Sequence, residues 1–357
     1  MIAPALRIAV DAEGLTSGGG RTWVTGLVEE LAAGGGREAV WTVRVSDRLG
    51  LSAAVGPAHR LVSTPPRSTV LRLVGLQTDA LGGSDGAVHV HSANFGPLLG
   101  RGAYVLMAHN ALHFQPVGGS GPWAQRLRVE SALARASVRR AEVTVVPSQA
   151  MADLVHEATG RDPRVLPFGV RAGVPGPEPG DDRFTFVNRT TWGPHKNLRV
   201  LLEATRALGR RRPGAFLVWT AADPFTRFAR GFAESRPERA LMSDPVVRAH
   251  IRIGPFPDPG VSVGQAAVIP SDLESFCFPL AEAIASGLPA IVADKAWARE
   301  LCGEAAMFVE AGAAVDLAAA MEAVLDGARP PAVAADRLAR LSWGRHVQGL
   351  RDACADV

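Results

Sequence analysis

The sequence predicts an α/β protein built from two doubly wound parallel-sheet domains. Short apolar runs alternate with amphipathic segments through most of the 357 residues, a rhythm typical of parallel strands joined by helices. The chain is also longer than one ordinary domain. The rhythm stops once, in a segment rich in proline, glycine and acidic residues at 171–183. We therefore predict one domain over residues 1–172 and another over 183–342, with the ligand cleft between them.

Each predicted domain has its own series of strands and helices. The strands of the first are expected at 6–10, 40–45, 87–91, 104–109 and 143–148. Those of the second are expected at 184–188, 215–221, 250–254, 265–271, 289–293 and 307–310. Apolar residues at helical spacing, with their flanking start and stop residues, predict helices over 22–33, 122–141, 196–208 and 279–286.

The composition is that of a globular protein and excludes several classes. Hydrophobic residues make up 47% of the chain, and the formal net charge is only +3, which favours no nucleic-acid partner. No apolar run reaches the ~18–20 residues that span a bilayer, and the first residues are typical of a strand and not of a signal peptide. We expect a cytoplasmic monomer or homodimer. The three cysteines, Cys277, Cys302 and Cys354, have no C-x-x-C spacing and predict neither a disulfide framework nor a zinc site.

The strongest motif lies at residues 270–289, PSDLESFCFPLAEAIASGLP. Pro279 suits the first turn of a helix, and Gly287 suits its end. The loop that begins at Glu274 would meet the helix N-terminus, where free N–H groups and the helix dipole favour an anion such as a diphosphate. Taken alone, Glu274 and Glu282 would be interpreted as an ordinary loop acid and an ordinary helix-surface acid.

A second motif, VNRTTWGPHKNLR at 187–199, follows a strand and opens a helix. Arg189 at the strand end and Lys196 at the helix start would stabilise the charge of a leaving diphosphate. Only two of the 38 basic residues are lysines, Lys196 and Lys295, so a lysine at this place favours a functional role. Lys295 is read as a solvated side chain.

Together these residues carry a family resemblance. The pattern E-S-F-x-x-P-x-x-E-A-x-A-x-G-x-P resembles the E-x7-E signature of retaining GT-B glycosyltransferases, specifically the GT4 family. The resemblance implies the GT-B fold of two Rossmann-like domains, with the terminal segment 343–357 as a helix packed back on the first. It places Glu282 at the ribose of the donor and Glu274 at its sugar. The family usually has glycine at the position of Cys277. The donor is expected to lie along Ser275, Phe276, Cys277, Phe278 and Pro279.

The first domain matches the family more loosely. Gly19 and Gly20, between the first strand and the first helix, resemble its glycine motif and would approach the donor. His109, at the end of a predicted strand, matches a histidine that contacts the donor sugar or the acceptor. His91, Asn94 and Asn110 are expected on the acceptor side. A metal site among the clustered histidines is the less favoured interpretation.

The resemblance implies transfer of a sugar from a nucleoside diphosphate sugar to a small molecule or glycan, with retention. No D-x-D triplet occurs in the sequence, and no metal or other cofactor is expected. One alternative is a nucleotide-sugar epimerase or hydrolase of the same fold. Another is a non-catalytic partner subunit. The basic segment 122–141 is expected to be solvated, with membrane contact as its alternative.

Overall fold

The computed structural model describes residues 6–51, 59–81, 86–100, 102–118, 120–173, 182–254 and 265–357. The chain divides into two compact units. The first comprises Met1–Gly169 and Arg340–Val357, and the second comprises Val170–Ala339. Most of the predicted interruption at 171–183 lies outside the described residues.

The first unit is built on a seven-stranded sheet in which all neighbouring strands are parallel. Its strands are β1 Leu6–Asp11, β2 Ala39–Ser46, β3 Arg60–Thr64, β4 Val88–His91, β5 Tyr104–Met107, β6 Val143–Val146 and β7 Arg164–Val165. The order is β3-β2-β1-β4-β5-β6-β7. Strands before β4 are added on one side of β1, and β4 and later strands are added on the other side. Ligands of such sheets bind at the point between β1 and β4 where this order reverses.

Within the described residues, five α-helices belong to this unit. They are α1 Gly18–Ala32, α2 Thr69–Leu81, α3 Pro122–Arg140, α4 Gln149–Thr159 and the last helix of the chain, α12 Trp343–Ala355. The sequence did not predict α2, which fills the connection between β3 and β4. The predicted glycine loop is also corrected, because Gly18 to Gly20 form the first turn of α1 and not a loop before it.

The second unit repeats the plan with six parallel strands, β8 Phe184–Asn188, β9 Phe216–Thr220, β10 Ile251–Ile253, β11 Ala266–Ile269, β12 Ala290–Ala293 and β13 Met307–Val309. Its helices are α5 Leu198–Arg211, α6 Ser235–Met242, α7 Pro245–His250, α8 Phe278–Ala285, α9 Ala296–Cys302, α10 Ala314–Leu325 and α11 Ala335–Arg340. The order is β10-β9-β8-β11-β12-β13, with the reversal between β8 and β11.

The core of the second unit explains its strand pattern. A parallel sheet covered by helices on both faces needs strands that are apolar throughout, and every residue of β9, β11 and β12 is buried. Side chains of α5 and α10 complete this core. The sheet is therefore rigid where β8 and β11 end, which is where the second motif and the strongest motif begin.

The terminal helix α12 is fixed within the first unit by a buried histidine. His346 is 1% exposed; its Nε2 accepts a hydrogen bond of 2.8 Å from Trp23 Nε1, and its Nδ1 lies 3.0 Å from the carbonyl oxygen of Pro167. A neutral ring with its proton on Nδ1 satisfies both contacts. Trp343 packs so closely that a methyl group on Gly26 or Gly169 would overlap it.

Three arginines of α3 donate hydrogen bonds within this unit. Arg135, Arg139 and Arg140 donate to the carbonyl oxygens of Gln115, of Thr159 and Ala158, and of Gly100 and Gly102. Among the residues that the structure describes, no helix is both long and apolar enough to span a membrane. These contacts tie α3 to neighbouring loops and to the C-terminal end of α4.

Candidate functional site

The site in the second unit begins at the reversal of its sheet, with a buried asparagine at the end of β8. Asn188 is 2% exposed, and its Nδ2 donates a 2.8 Å hydrogen bond to the carbonyl oxygen of Val268 in β11. Its Oδ1 accepts from the hydroxyls of Thr190 and Thr220. One amide thus joins the ends of β8, β9 and β11, and it fixes the direction in which the chain leaves β8.

Arg189 follows immediately and pairs with the second glutamate of the strongest motif. Arg189 Nη1 lies 3.0 Å from Glu282 Oε2, and the two side chains are 17% and 12% exposed. Glu282 belongs to α8. Burial raises the pKa of Glu282, while the Arg189 guanidinium opposes that rise. The sequence predicted both residues, and the structure brings them together across the sheet edge.

Lys196 forms the second pair of the site. Its Nζ lies 2.6 Å from Glu274 Oε2, with side-chain exposures of 17% and 9%. Glu274 Oε1 is buried and, within the described part of the chain, has no hydrogen-bond partner. A buried carboxylate oxygen without a donor is costly. Glu274 therefore presents an acceptor atom that a ligand hydroxyl would satisfy.

The turn that places Lys196 differs from the predicted one. Residues Pro194–Lys196 form a 3-10 turn, and the helix begins at Leu198, two residues later than predicted. Asn197 adopts a left-handed conformation with a φ of 53°, and its Nδ2 donates to the carbonyl oxygen of Pro270. His195 is partly buried, and desolvation together with the charge of Lys196 lowers its pKa to about 3.

The backbone before α8 suits the glycine that stands at the position of Cys277 in the motif the sequence resembles. Cys277 precedes the helix in a left-handed conformation with φ 64°, and its side chain makes no capping hydrogen bond. Glycine adopts this conformation without strain, so backbone geometry accounts for the family preference. Burial raises the pKa of the Cys277 thiol, and the nearby Glu274 adds to this effect. Pro279 lies in the first turn of α8, as predicted.

Ser275, Phe276 and Phe278 complete this loop. Phe276 and Phe278 are each 5% exposed, and their rings lie 5.0 Å apart in an edge-to-face arrangement. The two rings anchor the backbone between Glu274 and Pro279. The predicted donor-binding residues of this motif therefore form one rigid loop at the start of α8.

Lys295, which the sequence predicted to be a solvated side chain, forms a surface ion pair. Its Nζ lies 3.4 Å from Asp272 Oδ1, with exposures of 34% and 45%. The backbone N–H of Asp272 donates to the carbonyl oxygen of His195. Sequence reasoning missed Asp272 and Asn188. Asn188 could have been predicted as a site residue because it is a polar residue at the end of a buried strand.

In the first unit, the predicted residues Asn94, His109 and Asn110 form one network. Asn94 is 1% exposed and left-handed, with φ 65°. Its Oδ1 accepts from the backbone N–H groups of His109 and Asn110 at 2.6 and 3.2 Å. Its Nδ2 lies 3.2 Å from the carbonyl oxygen of Asn110 and 2.9 Å from His113 Nδ1. The amide of Asn94 thus holds the loop after β5 and is not displayed on a surface.

His109 is neutral near pH 7. Desolvation lowers its pKa to about 4, and His113 and Arg72 contribute further. Its ring packs edge-on to Phe168 at 6.5 Å. A neutral imidazole in this position donates or accepts a single hydrogen bond at each nitrogen and carries no charge to the site.

His91 lies beside the last residue of β1. His91 Nδ1 is 4.0 Å from Asp11 Oδ2, too far for a hydrogen bond. The pKa of Asp11 is lowered: burial opposes the shift, whereas His91 and the Arg72 guanidinium favour it. Gly19 and Gly20 lie nearby in sequence, in the first turn of α1. Asp11 and Arg72 were not predicted. No group of three or more His, Cys, Asp or Glu side chains could hold a metal ion in the described residues of either unit.

Comparisons with known proteins agree with this architecture. Residues 181–327 match the family model described as "Glycosyl transferases group 1". The match falls on the second unit and spans less than half of the chain. No curated protein matches the sequence.

Solved structures match over nearly the whole chain. The structure of HepE from Anabaena in complex with UDP and glucose has a TM-score of 0.66 at 14% identity, covering 99% of this chain and 100% of that chain. Sucrose-phosphate synthase from Thermosynechococcus elongatus has a TM-score of 0.63 at 18% identity, covering 98% and 96%. WaaG, a glycosyltransferase involved in lipopolysaccharide biosynthesis, has a TM-score of 0.63 at 14% identity, covering 97% and 95%. The fold of this chain is therefore GT-B, as predicted.

Proposed function

We propose that this protein transfers a sugar from a nucleoside diphosphate sugar to an acceptor hydroxyl, with retention of configuration and without a metal ion. The observation that carries the proposal is that two ion pairs lie at one edge of the sheet. Arg189 and Lys196 are each held by a carboxylate of the same loop and helix, at Glu282 and Glu274. Two partly buried cations at the mouth of a helix form a site for a diphosphate.

The chemistry follows from the charge of this site. During transfer, the bond between the anomeric carbon and the leaving phosphate oxygen breaks, and negative charge grows on the diphosphate. Fixed cations stabilise that charge without reorganisation. The new bond to the acceptor oxygen forms on the same face, and the acceptor proton passes to the leaving phosphate oxygen. Neither glutamate forms a covalent bond in this scheme.

The two carboxylates have a second task in this proposal. In the unliganded protein they neutralise Arg189 and Lys196 and hold them in place. When the diphosphate binds, the cations turn to it, and the carboxylates become acceptors for hydroxyl groups. Glu282 then binds the ribose and Glu274 the donor sugar. The unpartnered Oε1 of Glu274 supports the second assignment.

The similar structures suggest which donor to test first. The HepE structure contains UDP and glucose, and a second structure of the same protein contains UDP-glucose. UDP-glucose is therefore the first probe, followed by the GDP and dTDP sugars. The family match over the second unit supports assigning the donor to this unit.

A thermal-shift titration tests the donor site. Ligands that bind only the folded state raise the melting temperature, so one of the nucleotides should raise it in the unmodified protein. Arg189→Ala should abolish the rise. Arg199→Ala is the matched control, because Arg199 is also paired with a glutamate, Glu203, but lies 61% exposed on α5. If Arg199→Ala abolished the rise in melting temperature as completely as Arg189→Ala, the proposed site would be contradicted.

The alternatives predict different results in the same assay series. Release of nucleotide from the donor in the absence of any acceptor, at the full rate, would indicate a hydrolase, and a changed sugar would indicate an epimerase. A protein that binds none of the nucleotides would fit a non-catalytic subunit. Retention is tested by the anomeric configuration of the product in an NMR spectrum, and metal independence by full activity in excess chelator.

A further inference from the structure

A chamber lies inside the first unit, between the sheet and α2. Its volume is about 690 Å³, within the range of sites that bind drug-sized ligands. The helix above it is loosely packed, since Leu76 is the only buried residue of α2. Space therefore remains between this helix and the sheet.

The sheet face below the chamber is polar where a core face would be apolar. Residues in register on neighbouring parallel strands point to the same face, and Asp11 is in register with His91 and with Arg44. All three line the chamber. Arg44 is satisfied by Asp79 of α2, at 3.1 Å, and this ion pair connects the helix to the sheet. His91 is 7% exposed, and its Nδ1 has no hydrogen-bond partner among the described residues.

A cation completes the polar end. Arg72 of α2 lies against the backbone of Gly14, where an added methyl group would come within 1.3 Å of its Nη1 atom. Its charge reaches Asp11 and His109. No hydrogen bond or ion pair satisfies the Arg72 guanidinium within the described chain. Asp11, His91 and Arg72 thus surround the end of the chamber at the carboxyl edge of the sheet.

Most of the remaining lining is apolar. It consists of small and aliphatic residues and one aromatic ring, Leu76, Ala80, Leu81, Ala87, Ala103 and Tyr104, together with the polar side chains of His89 and Arg67. Ala87 and His91 are four residues apart, which in a strand corresponds to roughly 13 Å. The chamber is therefore long enough for an amphiphile, with Asp11, His91 and Arg72 at one end and mostly apolar residues beyond them.

The polar end selects the chemistry of that group. A carboxylate and a guanidinium both line this end, so an anionic head would be attracted by Arg72 and repelled by Asp11. A hydroxyl group suits both, because it donates to Asp11 or to His91 Nδ1 and accepts from Arg72. An uncharged hydroxylated head is therefore the complementary ligand.

We propose that this chamber binds the acceptor, and that the acceptor is an amphiphilic alcohol with an apolar body. This identification rests on the proposed sugar transfer, whereas binding in the chamber does not. The hydroxyl-bearing end would lie at the carboxyl edge of β1 and β4, and the apolar body would lie beneath α2.

Calorimetric titration without nucleotide tests the binding. The probes are n-octyl β-D-glucoside below its critical micelle concentration, n-octyl phosphate, and methyl β-D-glucoside. Octyl glucoside should bind with a stoichiometry of one, and the other two should bind at least about tenfold more weakly, or ~1.4 kcal/mol. Equal or tighter binding of octyl phosphate would overturn the neutral-head assignment, and equal binding of methyl glucoside would overturn the apolar body.

Filling the chamber provides the structural test. Gly75 lines it from α2, and an added Cβ would meet only Arg67, at 3.4 Å. Gly75→Leu should therefore weaken octyl glucoside binding about tenfold or more without lowering the melting temperature, because leucine also favours a helix. Val74→Leu is the matched control, since Val74 is 54% exposed. Equal affinity in Gly75→Leu and the unmodified protein would refute the site.

Two further measurements keep the test decisive. Gly102→Val fills the chamber from the other wall, where an added Cβ meets nothing within 4 Å, and it replaces Gly75→Leu if that variant does not fold. Arg72→Ala should weaken octyl glucoside more than it weakens 1-octanol. Nucleotide binding without octyl glucoside binding would end this proposal alone, because the nucleotide titration reports on the second unit.

Discussion

The two units place polar residues at the same point of the same topology but satisfy them differently. In the second unit, each of the two cations that follow β8 pairs with a carboxylate that follows β11, at 2.6 or 3.0 Å. In the first unit, His91 and Asp11 at the ends of β4 and β1 remain 4.0 Å apart. At the reversal point of the second unit, the charged side chains are thus already paired in the absence of a ligand. The other reversal point leaves polar atoms whose partners must come from a ligand.

Under the proposed function, this difference fits different tasks for the two units. A charged leaving group requires fixed cations, because reorganising charges during the reaction costs free energy. An uncharged acceptor requires shape and a few hydrogen bonds, and its identity varies without changing the chemistry. The proposed donor site and the proposed acceptor site are thus compatible with one repeated fold.

The largest expected effect tests the organised side of this comparison. Lys196→Met removes one of the two cations at the leaving diphosphate and should lower kcat by about 100- to 1000-fold, or ~2.7–4 kcal/mol. The natural control is Lys295→Met, which removes the other lysine of the chain, paired with Asp272 on the surface. Steady-state kinetics with the donor found by thermal shift measures both.

A structural loss must be separated from a catalytic one. Lys196→Met leaves Glu274 buried and unpaired, and a lone buried charge is destabilising. The double variant Lys196→Met/Glu274→Gln removes that charge as well. It should recover the melting temperature but not kcat. Recovery of the melting temperature and of kcat would show that Lys196 acts only by holding the loop. It would contradict the view that the cations of the second unit are organised for a charged ligand.

The second prediction concerns acid stability and the first unit. Burial lowers the pKa of His346 from 6.5 to about 4. Below pH 6.5, His346 is therefore protonated in the unfolded chain, whereas in the folded chain it stays neutral until about pH 4. The stabilising contribution is complete above pH 6.5 and is lost as the pH falls towards 4, by up to about 3 kcal/mol.

Denaturant unfolding between pH 7.5 and 4.5 measures this loss. His346→Gln, which does not titrate there, should reduce the pH dependence, although His109 retains its own contribution. His156→Gln is the control, because His156 is 59% exposed. A slope unchanged by His346→Gln would mean that the ring is already protonated in the folded protein, which the Trp23 contact does not permit.

The third prediction tests whether Asn94 positions the loop that carries His109. Asn94→Gly keeps the left-handed backbone accessible but removes the amide that binds His109, Asn110 and His113. Leaving these buried groups unsatisfied should cost about 2–3 kcal/mol of stability. Asn94→Asp, which keeps the acceptor oxygen, should cost less. A direct role of Asn94 with the acceptor would instead raise KM in both variants at unchanged stability.

Much of the fold could be predicted from the sequence because its cause is local and repeated. Parallel strands buried on both faces need unbroken apolar runs, and the runs that end before Arg189 and before the 270–289 motif are of this kind. Pro279 and Gly287 marked the helix of the strongest motif to within one residue at each end. The four charged residues of the second motif and the strongest motif could be named because their spacing resembles a known signature.

The remaining features depend on contacts between distant segments. The segment that forms α2 carries exposed apolar residues, Val70, Leu71, Val74 and Leu81, so its periodicity does not separate an outer face from an inner one. Arg72 and the chamber could not be found without this helix. Asn94 was predicted on the acceptor side, and its burial could not be predicted because it depends on the loop that Asn94 binds. The left-handed turn at Asn197, which delays α5, is likewise fixed by the carbonyl of Pro270.

The smallest expected effect sharpens the comparison at the left-handed residues that follow β4 and β11, Asn94 and Cys277. The side chain of Asn94 is indispensable to its loop, whereas Cys277 contributes no capping hydrogen bond. Cys277→Gly should therefore change stability by less than about 1 kcal/mol, because relief of the left-handed strain, ~1–2 kcal/mol, offsets the lost side-chain packing. Cys302→Gly, at a buried helical position in α9, should cost ~2 kcal/mol or more. Equal costs for the two glycines would show that the thiol of Cys277, and not its backbone, determines the residue at this turn.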